Sequence, residues 1–203
     1  MKTLTCHINE ALKIGKNLSE WSAYSCQPKD KEELEQIIKD RIFNTGPNCD
    51  LNDIDVSLID DMAYLFHESE FNGDISKWDV SNVKTMYLMF SDSKFTGDIS
   101  NWDVSKVEDM SGTFSNSLFN GNISKWNVSN VKDMIGMFAY SEFNKDISSW
   151  NTSKVEDMYG CFTYSKFNQD ISKWKINKDC DTSHMFIECP IKEEYKPKSL
   201  QSC

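Results

Sequence analysis

Two rhythms of apolar and polar residues alternate along most of the chain. In residues 71–94 the first runs through Ile75, Trp78 and Val80, with Lys77 and Asp79 between them. Such alternation predicts a short half-buried strand. From Val83 the spacing changes: Val83, Met86 and Phe90 fall at i, i+3 and i+7, which is one face of a helix. Ser81 is placed to cap it, and Ser105 with Glu108, then Ser153 with Glu156, supply a reciprocal capping box in later copies. A polar return through Ser91, Asp92 and Ser93 leads to the next Phe.

The unit recurs. Phe opens it at 71, 95, 119, 143 and 167, 24 residues apart each time. A fixed period in the twenties predicts a solenoid, in which each unit packs only on its neighbours. Trp78, Trp102, Trp126, Trp150 and Trp174 form one column above Ile54. Phe66, Phe90, Phe114, Phe138, Phe162 and Phe186 form a second, and Met62, Met86, Met110, Met134 and Met158 a third. Ile54 and Phe66 belong to a partial first repeat, so the expectation is an α/β chain of six rungs sharing one parallel β-sheet. With strands about 4.8 Å apart, that sheet is expected to stand roughly 25 Å tall.

An open stack needs capped ends. Residues 28–50 read as the front cap, an amphipathic helix with Asp30 and Glu33 at its start and Leu34, Ile37, Ile38 and Ile42 on its apolar stripe. Gly46-Pro47 stops it. Residues 51–190 form the repeats and a closing cap, where the pattern decays: Thr182 stands in place of Met and Asp179 in place of Val. Residues 191–203 read as a polar tail, and residues 1–27 as a leader with a short amphipathic helix through Leu4, Ile8, Leu12 and Ile14.

Charge narrows the function classes. Of 203 residues 39% are apolar and 27% charged, and the net charge of −10 with a pI near 4.8 argues against nucleic acid and anionic membrane surfaces. No apolar run is long enough to span a bilayer, and the start shows neither an apolar signal segment nor a lipid-anchor cysteine. The seven cysteines, 6, 26, 49, 161, 180, 189 and 203, are odd in number and irregular in spacing. Together these features give the expectation of a cytoplasmic protein with reduced thiols.

Chemistry is sparse. His7, His67 and His184 are far apart in the repeat order, and no catalytic set, cofactor loop or metal centre is expected. Cys180, His184 and Cys189 are the nearest approach to zinc ligands, outweighed by a role as unpaired cap residues. The ladder of Ser69, Ser93, Ser117, Ser141 and Ser165 suits inward hydrogen bonds better than a nucleophile, since catalysis needs one special residue. Gly73, Gly97 and Gly121 mark a turn that Lys145 and Gln169 also occupy. Two acid-rich columns remain: Asp55, Asp79, Asp103, Asn127, Asn151 and Lys175, and Asp74, Asp98, Asn122, Asp146 and Asp170. Calcium would relieve their repulsion; Asx turns would satisfy them without metal, and that reading is the stronger.

The phrases FNGDISKWDVSNVKTMYLMF and its copies closely resemble BspA-like leucine-rich-repeat proteins of bacteria, phages and some protists, across residues 51–176. The resemblance implies a right-handed solenoid with parallel strands and a role in binding macromolecules, often at a cell surface. It supplies no catalytic residues. The function expected is therefore a non-enzymatic scaffold that binds a protein partner by its strand face, at Lys77, Asp79, Asn101, Asp103, Lys125 and Asn127. The alternative is an adhesive module for a glycan or host surface, with calcium as a condition. Tyr87, Tyr140, Tyr159 and Tyr164 make a competing surface.

Overall fold

The computed structural model describes residues 26–201. The leader helix expected around Leu4 and Ile8 lies outside the described residues, as do Cys6 and Cys203.

One α-helix is present among the described residues: α1, Lys31–Thr45. The Asp30 carboxylate accepts the Glu33 N–H at 2.9 Å, and Glu33 reaches back to the Lys29 N–H at 3.0 Å. Gly46, at φ 91°, ends the helix. Leu34 and Ile38 are buried, so α1 covers the front of the core.

The parallel-sheet solenoid is corrected by the structure. No strand forms among the described residues; the parallel pairing between successive repeats amounts to isolated bridges. Backbone hydrogen bonding explains why. The Trp78 and Trp102 N–H groups turn back to Ile75 and Ile99 of their own repeat, and Val83 and Val107 do the same to Val80 and Val104. With those donors satisfied locally, the Trp–Val segment has no ladder to offer a neighbour. The helix expected from Val83 to Phe90 is absent too, because each repeat carries two left-handed positions four residues apart, among them Tyr64, Glu68, Leu88, Asp92, Asn116, Tyr140, Tyr164, His184 and Glu188. Gly112, Gly136 and Gly160 fill the same register at φ 56–60°.

The bonds between repeats run through those turns. Met86, Leu88, Phe90 and Asp92 donate their N–H groups to the carbonyls of Asp109, Ser111, Thr113 and Ser115, each at 2.9 Å. Met110, Gly112, Phe114 and Asn116 repeat this toward Asp133, Ile135, Met137 and Ala139. The parallel bridges join Asp61, Thr85, Asp109, Asp133, Asp157 and Asp181 in one line. This four-donor row has a direction, its N–H groups facing the C-terminal end and the carbonyls they meet facing the N-terminal end, while flanking bonds such as Glu108 N–H to Lys84 and Lys94 N–H to Ser69 run the other way.

Side chains complete the stack. Phe66, Phe90, Phe114, Phe138, Phe162 and Phe186 lie one on another with ring centroids 5.5–5.8 Å apart. Phe71, Phe95, Phe119, Phe143 and Phe167 stack beside them at 6.1–6.3 Å. Every indole N–H from Trp78 to Trp174 donates to the preceding repeat, at Leu51, Ile75, Ile99, Ile123 and Ile147. The column is thereby polar-satisfied as well as buried. Ser117, Ser141 and Ser165 hydroxyls donate to Phe114, Phe138 and Phe162 carbonyls and accept the N–H of Phe119, Phe143 and Phe167.

Residues 191–200 turn back over the far end. Tyr195 accepts from Ile171 N–H at 2.9 Å, Ile191 and Pro197 are buried, and single 3-10 turns form at Glu193–Tyr195 and Lys198–Leu200. Among the described residues no helix is long and apolar enough to cross a membrane.

Candidate functional site

The polar surface is built from Asx turns. Asp74, Asp98, Asn122, Asp146 and Asp170 each accept the N–H two residues on, at Ser76, Ser100, Ser124, Ser148 and Ser172, at 2.9–3.0 Å. Asp79, Asp103, Asn127 and Asn151 do the same with Ser81, Ser105, Ser129 and Ser153. A third column, hidden in the sequence by the apparent helical spacing, consists of Asp61, Asp109, Asp133, Asp157 and Asp181, with the Thr85 hydroxyl in the same role. Its signal was an acid recurring at the 24-residue period, at 61, 109, 133, 157 and 181, with Thr85 as the one exception. The Ser111 hydroxyl lies within hydrogen-bond reach of both the Asp109 and the Asp133 carboxylate, with one proton to give between them.

These bonds set the carboxylate chemistry. Asp74, Asp98 and Asp146 titrate below the ordinary aspartate value, chiefly because the backbone N–H of Ser76, Ser100 and Ser148 binds the charged form. Asp103, Asp170 and Asp181 are held low first by the hydroxyls of Ser105, Ser172 and Ser183. Another column alternates in sign: Asp60, Lys84, Glu108, Lys132, Glu156. Lys84 pairs with Asp60 at 2.9 Å and Lys132 with Glu108 at 2.6 Å, lowering both carboxylates and raising both lysines.

All six residues expected to bind a partner are exposed: Lys77, Asn101 and Lys125 in one register, Asp79, Asp103 and Asn127 in the next. The structure lines them up on successive repeats, though on turns and not on strands. Asp79, Asp103 and Asn127 spend an oxygen on their own turns.

Exposed aromatic residues gather on other columns. Tyr140 and Tyr164 are 57% and 50% exposed and stack with ring centroids 5.1 Å apart. Tyr64 and Tyr87 meet edge-on at 5.2 Å, and the Tyr159 hydroxyl and His184 Nδ1 are 2.8 Å apart. Tyr64, Ile135 and Leu118, which sequence reasoning passed over, are exposed as well. Periodicity could not mark them, because none of their columns keeps one residue type.

The cap residues Cys180, His184 and Cys189 are directed to separate partners: Cys180 to the Asp181 carbonyl, His184 to Tyr159, and Cys189 to the Phe167 carbonyl. Among the described residues no group of three His, Cys, Asp or Glu is arranged to hold a metal ion. Burial pushes the thiols up, Cys180 to about 11, with Cys161 and Cys189 also raised. Such thiols are poor nucleophiles.

Stacked 24-residue turns with a columnar aromatic core define a tandem-repeat protein. Residues 33–118 and 93–196 match a family described as Mycoplasma protein of unknown function, DUF285, and the chain belongs to it. No curated protein and no solved structure matches the chain.

Proposed function

We propose that the chain is a non-enzymatic scaffold that binds another protein along the side of its stack. One observation carries this: large aromatic side chains are held exposed and in contact across adjacent repeats, Tyr140 on Tyr164 in one register and Tyr64 edge-on against Tyr87 from neighbouring columns. Tyrosine presents broad area with few rotatable bonds and is enriched among residues that dominate interface energy. The polar columns at Lys77, Asp79, Asn101, Asp103, Lys125 and Asn127 are the second face, and the oxygens used in their turns make it the weaker anchor. The repeat phrase's resemblance to BspA-like proteins supports the binding role, and five free cysteines among the described residues fit a reducing compartment.

The test is capture of partners from the source organism with three proteins in parallel. Tyr140→Ala/Tyr164→Ala should lose the specific partner while melting as the parent does, since both rings are half exposed. Lys77→Ala/Asn101→Ala/Lys125→Ala should retain it. Loss with the second variant alone moves the site to the polar columns; turnover of a substrate by the parent protein would refute the scaffold.

A further inference from the structure

The two ends of the stack are unlike. At the front, α1 stands in chain order where a preceding repeat's ladder would lie, Ile38 and Ile42 falling 24 residues before Met62 and Phe66. Lys31 pairs with Asp61 at 3.1 Å, and Met62 and Phe66 are buried. At the back the 191–200 segment turns over the end without pairing with the ladder's last N–H row. The positions that donate to a following repeat everywhere else are here Thr182, His184, Phe186 and Glu188, and their N–H groups find no acceptor among the described residues. A cleft of about 380 Å³ lies over this row, lined by Thr182, His184, Met185, Phe186 and Leu200, with Ile187 40% exposed. Across the 191–200 segment a second cleft, about 490 Å³, is lined by Lys173, Lys175 and Lys198 and by no carboxylate.

We propose that this end binds an extended acidic segment of a partner protein, added as one more rung. Each half of the surface asks for acceptors. The N–H row continues a ladder whose every earlier rung takes backbone carbonyls, and an unpaired edge of this kind is a template for another chain. The lysine cleft asks for carboxylates, and the stack already shows the solution, since Lys84 and Lys132 are each met by an acid one repeat away. A second copy of the chain is a poor occupant, because its matching carbonyl edge lies at the end that α1 covers. The end row borders the tyrosine column, since the Tyr164 N–H donates to the Ile187 carbonyl and Glu188 is that column's next residue, but Tyr140 lies one repeat further back, so a variant of Tyr140 alone lets the two readings fail independently.

The probe is a fluorescent peptide of the chain's own residues 169–188 carrying Lys173→Glu, Lys175→Glu, Lys178→Glu and Cys180→Ser. Against the 26–201 region in the full chain it should bind at least about tenfold tighter than the peptide that keeps its lysines. Protein bearing Lys173→Glu/Lys175→Glu/Lys198→Glu should reverse that preference, and Tyr140→Ala should leave it unchanged. Amide exchange should slow at Thr182, His184, Phe186 and Glu188 on binding. Equal binding of both peptides, or protection elsewhere, overturns the proposal. So does self-association in sedimentation without peptide, which would give the edge to a second copy.

Discussion

Each buried Trp does two jobs at once. It fills a column and sends its N–H to a carbonyl of the preceding repeat, as Trp126 does to Ile99 at 3.1 Å. Trp126→Ala therefore leaves a cavity and removes one of the two donors to the Ile99 carbonyl, the Trp102 N–H remaining, and should cost about 3–5 kcal/mol in urea unfolding. Gly136 illustrates the backbone side of the same economy: at φ 56° with Ala139 Cβ at 3.8 Å, space is not the constraint. Gly136→Ala should cost about 1–2 kcal/mol from the left-handed conformation alone. Equal stability of that variant and the parent would refute this account of the turn. The Asx carboxylates make a third residue-scale prediction. Their folded pKa values lie below the ordinary 3.8, so the unfolded chain binds protons more readily. Their stabilisation is present above about pH 4 and is lost as pH falls through the folded values. The melting temperature should be flat from pH 7 to 5 and drop below 4; Asp98→Asn should keep its turn while losing its share of the drop.

At the scale of elements, α1 and the repeats are stabilised differently. The helix has its own start signal, and Asp30→Ala should weaken it by about 1 kcal/mol, measurable as faster amide exchange confined to its first turn. The repeat has no element that stands alone. Its short local bonds, such as Met89 N–H to Met86 at 3.0 Å, hold a turn only while the next repeat accepts the outward N–H groups. The alternating column of Asp60, Lys84, Glu108, Lys132 and Glu156 acts between elements too, as a register mark in which a one-repeat slip would oppose like charges. These pairs are exposed, so their contribution is to alignment more than to stability.

For the whole molecule, one oxygen of each Asx side chain already takes a backbone N–H group, which satisfies the columns without metal, and a chelator should leave the melting temperature unchanged. A rise of several degrees on adding calcium would show a metal site instead. The sequence by itself determined the period, the buried columns, the α1 helix with its cap, and the serine ladder, because each is fixed by side-chain size or by bonds within a few residues. Trp102 reads as core wherever its backbone goes. Tertiary structure decided what the backbone does between those anchors. The alternation at Trp78 and Val80 describes only which side chains point inward, and it fits a strand or a chain of turns equally well. The choice fell to turns because Asp74, Asp79 and Thr85 capture nearby N–H groups, leaving the outward donors at Met86 to Asp92 as the bonds between repeats. The exposed tyrosines and the open donor row at the far end were likewise settled only by stacking, since a residue's neighbour one rung away is set by the fold and leaves no mark in its own local sequence.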